Sequence, residues 1–360
     1  MLVAYRENGE RISLLESWDK KALERLRKET TFYCPGCKLV VQLKLGNSKK
    51  WHFAHLANAN CQVESEGESL YHIQGKTLLY HWLKNQGIKT ALEPFIRSIK
   101  QRPDLLIHTH HYYPLEFQCA AMNLTLFQKR TIAFQNLQLN PLWILGGNRL
   151  RRVTHTIFKV HEMDWLSLRM PHQSSSPILL YFCPETKCFA ILSSLIPISP
   201  SNVCAKIQYI PLHSMKIQTI LYGKGIAPFS LNIPQWLEQK KHWRFSALRT
   251  STPIYQYIRK ICQSVGIPLS YFPSLAGLPG RHLFCLKTPC FLWQTWILLH
   301  FLHPLPLGST FSLSNLRYCF NKMIHKELFI IRNLPLIINQ HFTSAVSRIF
   351  TFFNSIWINY

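Results

Sequence analysis

Two groups of residues in the first 150 positions have the types and spacing of metal chemistry. The segment Phe32-Tyr33-Cys34-Pro35-Gly36-Cys37 contains a Cys-x2-Cys knuckle. Two thiolates so spaced grip one tetrahedral ion, while Pro and Gly permit the tight turn between them. After fourteen intervening residues come His52-Phe53-Ala54-His55, and Cys61 follows. Five candidate ligands, Cys34, Cys37, His52, His55 and Cys61, therefore compete for four positions. His52 and His55 bind together if they open a helical turn, because i and i+3 share a helix face. Alternatively Cys61 replaces one of them, and His52 becomes an orienting or packing residue. No position is left open for chemistry, so the spacing predicts a closed, structural zinc site.

The second group is acidic. Arg102-Pro103-Asp104-Leu105-Leu106-Ile107 sets an acid at the start of an apolar strand, and eleven residues separate it from Glu116-Phe117-Gln118. Residues two apart on a strand point to one face, so Glu116 and Gln118 project together while Leu115 and Phe117 turn into a core. If the two segments pair, Asp104 and Glu116 approach closely enough to share Mg²⁺, which prefers one or two carboxylates plus water and phosphate. Upstream, Glu68, His72 and Lys76 fall at i, i+4 and i+8 of one expected helix face. Glu68 extends the carboxylate set, His72 orients water or contacts phosphate, and Glu93 is a more distant candidate.

The elements that must position these residues are legible for the first 150 residues. Val3–Tyr5 and Arg11–Leu15 read as a hairpin around Asn8-Gly9, and 19–29 as a short charged helix. Leu70, Ile73, Leu78, Leu79 and Trp82 give 68–86 a helical period that Gly87 ends. Strands are expected at 90–96, 103–108 and 112–120, a helix at 125–135 and a further strand at 141–145. Beyond Arg151, a polar loop at 171–176 precedes a strand pair at 177–182 and 188–192. Helical patterns follow at 234–240, 253–265, 291–301 and in the last forty residues. Cys183 and Cys188 have no nearby partner that completes a second metal site.

Composition bounds the rest. The 360 residues carry 41 Lys+Arg against 17 Asp+Glu, a formal charge of +24, which favours polyanionic partners. Residues 1–150 hold 20 basic and 12 acidic side chains, and residues 151–360 hold 21 and 5. Carboxylate chemistry therefore belongs to the first part. Trp236, Trp243, Trp293 and Trp296 either stack on single strands or form a core stripe; helical spacing favours the core. The opening residues lack a secretory signal, so a cytoplasmic chain with few disulfides is expected. The uncharged stretch 288–316 is interrupted by Gln294, His300, His303, Pro304, Pro306 and Gly308, so it reads as a buried helix rather than a stable membrane insertion.

In their order, Cys34-Pro35-x-Cys37, His52-Phe53-Ala54-His55, Glu68-Ser69-x2-His72-x3-Lys76, Arg102-Pro103-Asp104 and Glu116-Phe117-Gln118 resemble the competence protein CoiA family, and Arg130 fits the same pattern. The resemblance covers residues 1–150. It implies a zinc-finger-like module followed by a restriction-endonuclease-like domain of the PD-(D/E)xK superfamily, acting on DNA or its recombination in natural transformation. Asp104 and Glu116 then become metal ligands, and Gln118 stands at the superfamily's Lys position. Gln hydrogen-bonds but supplies no charge.

The expected fold is an α/β N-terminal half with a mixed sheet flanked by helices, preceded by the small zinc-binding module. A mainly α C-terminal region follows. The expected boundaries are 1–62, 63–155 and 156–360. The expected activity is Mg²⁺-dependent hydrolysis of DNA phosphodiesters through Asp104, Glu116, Gln118, Glu68 and His72, with Lys76, Arg102 and Arg130 against phosphate. The alternative is a non-catalytic DNA-binding recombination accessory. Expected partners are DNA, as single strands or recombination intermediates, and other competence or recombination proteins.

Overall fold

Asn8-Gly9 turns the first residues back on themselves. Gly9 takes φ +83, a conformation that costs a residue with a Cβ. Strands β1 (Val3–Arg6) and β2 (Arg11–Ser13) consequently pair antiparallel, with Val3 opposite Ser13. Helix α1 (Lys20–Glu29) leads to β3 (Phe32–Tyr33), β4 (Val40–Lys44) and β5 (His52–His55). The five strands form one sheet in the order β2-β1-β3-β4-β5. Its core gathers Ile12, Leu23, Phe32, Val41, Leu43 and Phe53, with the Phe32 and Phe53 rings 5.0 Å apart. The computed structural model describes residues 1–46, 50–56, 69–172, 176–280 and 282–338; Cys61 and Glu68 lie outside the described residues.

Helix α2 (Leu70–Asn85) starts at Ser69, whose hydroxyl accepts the His72 N–H, satisfying one of the helix's unpaired donors. Strands β6 (Lys89–Leu92), β7 (Leu105–His108) and β8 (Tyr112–Gln118) follow as an antiparallel meander. Helix α3 (Leu124–Asn136), capped by Asn123, crosses over to β9 (Leu142–Gly146), which pairs parallel with β8. Strand β8 is buried on both faces after its first residue. Its Phe117 side meets α2 at Gly75, where an added Cβ would overlap the Phe117 ring. Its Glu116 side meets α3, whose Phe127 stacks 4.0 Å from Trp143, the residue opposite Glu116 in β9.

The sheet continues beyond the meander. Strands β10 (Arg151–Arg152), β11 (Ile157–Lys159), β12 (Leu179–Cys183), β13 (Cys188–Pro197) and β14 (Asn202–Pro211) complete nine strands in the order β10-β11-β14-β13-β12-β9-β8-β7-β6. The sequence predicts that the second strand of the later pair ends at 192, whereas β13 runs on to Pro197. Ser193 and Ser194 interrupt the apolar run there, yet both are buried and β13 passes through them, Ser194 with φ +53. A local kink rather than a strand end accommodates the residue.

Two units partition the chain. One comprises residues 1–150, 180–191 and 209–221; the other comprises 151–179, 192–208 and the described residues from 222 onward. The second unit is helical after its strands, with Ile233–Ser246, Pro253–Ser264, Cys290–Trp296 and Leu313–His325 as its longer helices. Trp236, Trp243, Trp293 and Trp296 are all buried. The Trp236 and Trp243 indoles donate to Gly277 O and Ile198 O. These rings are core, not a stacking platform for bases. Gln294, which breaks the apolar run, exchanges two hydrogen bonds with the Leu278 backbone. No helix among the described residues is long and apolar enough to cross a membrane.

Candidate functional site

The Cys/His group follows from sheet register. The knuckle lies between β3 and β4, where Tyr33 opposes Val40, and β5 sets His55 opposite Val41 at the same end of the sheet. Lys38 donates its N–H to Cys34 O and takes φ +62, closing the knuckle. One ligand atom from each of Cys34, Cys37 and His55 lies within 4.8 Å of the others, and Cys37 Sγ is 3.2 Å from His55 Nε2. Burial, together with the charges of Arg102 and the N-terminus, lowers the His55 pKa. That favours the neutral imidazole a metal requires. This Cys2His group is able to hold a metal ion.

His52 is not in the group. The segment His52–His55 is a strand, not the helical turn that would align both rings. Residues three apart on a strand point to opposite faces about 10 Å apart. His52 sits opposite Lys44, and its Nδ1 bonds Lys50 O. Cys61 lies outside the described residues, so the group contains three of the five candidates.

The carboxylates gather where β7 begins. Leu105 opposes Leu115, so the register continued by one residue brings Asp104 beside Glu116. Asp104 Oδ2 accepts the Phe117 N–H at 2.9 Å and the His72 Nε2–H at 3.0 Å. Lys76 Nζ lies 3.3 Å from Asp104 Oδ1 and 2.5 Å from Glu93 Oε1. Glu116 Oε1 pairs with the Arg130 guanidinium, which lies over the Trp143 ring. Gln118 shares the Glu116 side of the strand, and its amide donates to Ala120 O.

Electrostatics divides the two acids. Burial alone raises the Asp104 pKa, but the charges of His72 and Lys76 and the hydrogen bonds from His72 and Phe117 outweigh it. Its carboxyl is held well below the usual range. Burial pushes Glu116 up to about 7; Arg130 opposes the rise and the neighbouring Asp104 charge adds to it. Two acids so close in a dry site resist ionising together. Carboxylate oxygens are the donors a hard divalent cation prefers; here each acid is also paired with a cationic side chain of the chain itself.

Several expectations were less complete than the geometry. Lys76 is fully buried, so its ammonium faces carboxylates rather than phosphate in solution. Arg130 is likewise engaged with Glu116, and Arg102 is half-buried near His55. Glu93, only a distant candidate by sequence, is central. It is 2% exposed, takes φ +46, and accepts N–H groups from Leu2 and Val3 as well as Lys76. Gly75 carries a sequence signal of its own: a glycine inside a helical period marks a close approach.

Comparison with known proteins identifies the family. Residues 15–64, 68–224 and 231–348 match family models described as the N-terminal, nuclease-like and C-terminal domains of competence protein CoiA. Competence protein CoiA of Bacillus subtilis (strain 168) is 32% identical over 290 residues, spanning 79% of this chain and 75% of that relative. No solved structure matches. The chain belongs to the competence protein CoiA family.

Proposed function

We propose that this chain acts on DNA during natural transformation, hydrolysing phosphodiester bonds with a divalent ion held by Asp104 and Glu116. The observation that carries the reading is the burial of these two acids at adjoining strands, where His72, Lys76 and Arg130 converge on them. A bound Mg²⁺ supplies Lewis acidity and a water of lowered pKa. Asp104 and Glu116 hold the ion. His72, hydrogen-bonded to Asp104, positions and exchanges a proton with water, and Gln118 orients water from the strand. Glu68 extends the carboxylate set, Arg102 neutralises phosphate, and Arg130 holds the Glu116 carboxylate in place. Zinc, bound by Cys34, Cys37 and His55 with Cys61 as fourth ligand, holds the N-terminal module together.

The basic balance of the chain favours a polyanionic partner, in single-stranded or recombining form. Other competence or recombination proteins are further partners.

Cleavage of linear, single-stranded and branched DNA in Mg²⁺ or Mn²⁺ tests the reading. Asp104→Asn is expected to lose about a thousandfold in rate, a loss of transition-state charge stabilisation. Equal rates for variant and wild type reject hydrolysis at this site. A non-catalytic DNA-binding accessory is the second reading, favoured by the internal ion pairs of both acids and by the uncharged Gln118. Salt-sensitive binding without cleavage distinguishes it.

A further inference from the structure

We infer that Lys76, positioned by Glu93, is the residue that supplies positive charge to the Asp104–Glu116 centre during hydrolysis. The inference rests on the hydrolytic reading above and assigns a role within it. Negative charge grows on the attacking and phosphoryl oxygens of a hydrolysing phosphodiester, and a fixed cation nearby stabilises it.

Among the described residues, Arg130, His72 and Lys76 bring cationic side chains to the acids. Arg130 lies against Trp143 and pairs with Glu116. His72 carries charge only when protonated. Lys76 approaches Asp104 Oδ1 to 3.3 Å from one helical turn beyond His72. Gln118, on the Glu116 side of β8, brings no charge.

The surroundings are built to hold this ammonium. Lys76 is 0% exposed, and burying an ammonium costs several kcal/mol unless well-placed anions compensate. Glu93 provides one of those anions at 2.5 Å, from a left-handed backbone conformation that strains a residue with a Cβ. The Leu2 and Val3 N–H groups grip the Glu93 carboxylate at 3.0 Å and 3.2 Å. The first strand of the N-terminal sheet thereby fixes the residue that fixes the lysine. Docking the DNA backbone away from the centre would call for an exposed side chain and no such cradle.

The test replaces both charges of the buried pair, Lys76→Met with Glu93→Gln, in the full chain; the amide at 93 still accepts from Leu2 and Val3. Cleavage is expected to fall about a hundredfold at saturating DNA, with DNA KM changed less than about threefold, since the loss falls on charge developed in the transition state. Mn²⁺ affinity, measured by calorimetry, is expected to be at least that of wild type, because the ammonium no longer competes for Asp104. Adding Gln118→Lys, on the strand side that carries Glu116, is expected to restore about tenfold of the lost rate.

Undiminished cleavage in the paired variant overturns the assignment alone, and loss of Mn²⁺ binding marks Lys76 as merely structural. Failure of Gln118→Lys to restore any rate also overturns it. A wild-type chain that cleaves no DNA removes the hydrolytic reading and this one together. If the paired variant unfolds, Lys76→Gln with Glu93→Gln keeps hydrogen bonding across the gap and takes the same readouts.

Discussion

The Cys/His group and the carboxylate group are both candidate metal sites, yet they solve the charge problem in opposite ways. Cys37 and His55 are half-buried and meet through the register of one small sheet. Asp104 and Glu116 are buried, and cations of the chain itself accompany them: Lys76 and His72 for one, Arg130 for the other. The first arrangement can stabilise a fold when an ion binds. The second already has a hydrogen-bonded interior, which the proposed ion would enter by sharing the carboxylates. A structural metal is thus expected to govern the integrity of its module, and a catalytic one to govern rate.

The sharpest way to break this contrast is to remove ligands from the first site. His55→Ala and Cys37→Ser are expected to release zinc and melt the N-terminal module, since a structural zinc contributes on the order of 10 kcal/mol to such modules. His52→Ala is expected to retain the metal. Elemental analysis of the purified variants reads all three; equal loss with His52→Ala would contradict the strand geometry.

A smaller effect is expected from Gly75→Ala. The new Cβ would overlap Phe117, so either the ring or α2 must shift, and a shift of α2 carries His72 and Lys76 from Asp104. About 1–3 kcal/mol of stability is expected to be lost in urea titration, with cleavage falling further than stability alone accounts for. Unchanged stability and rate would show that α2 needs no such closeness.

The smallest effect is a pH dependence confined to the second site. Glu116 is raised in the folded chain to about 7, above an unfolded value near 4.3. Its stabilising contribution is therefore complete below the unfolded value and is lost as pH rises through about 7. Without divalent ion, stability is expected to fall by on the order of 1 kcal/mol between pH 6 and 8. Mg²⁺ is expected to flatten that fall. Asp104 has the opposite sign: its lowered pKa contributes above an unfolded value near 3.9 and is lost on acidification.

Periodicity and turn chemistry made most of the first 150 residues legible. The Asn8-Gly9 hairpin, the Ser69-capped helix and the Asp104 and Glu116 strands lie close to where the sequence sets them. The sequence leaves His52 open between ligand and packing residue because Cys and His spacing carries no information on whether the local backbone is helix or strand. Beyond residue 155, β13 was cut short at Ser193 because a buried serine looks, in sequence, like a turn. Glu93 was underrated since its partners, Leu2 and Val3, lie ninety residues away and contribute backbone N–H groups that no side-chain pattern reveals.

By itself the sequence determined which residue types were present, their local periods and the family pattern that joins them, because those depend on neighbours a few positions apart. Only the tertiary structure decided that Lys76 belongs to the carboxylates rather than to a DNA-facing surface. Its burial follows from the close approach of α2 at Gly75 and the grip of β1 on Glu93. The cost of burying an ammonium is settled by the anions packed around it, and packing is a property of the folded whole.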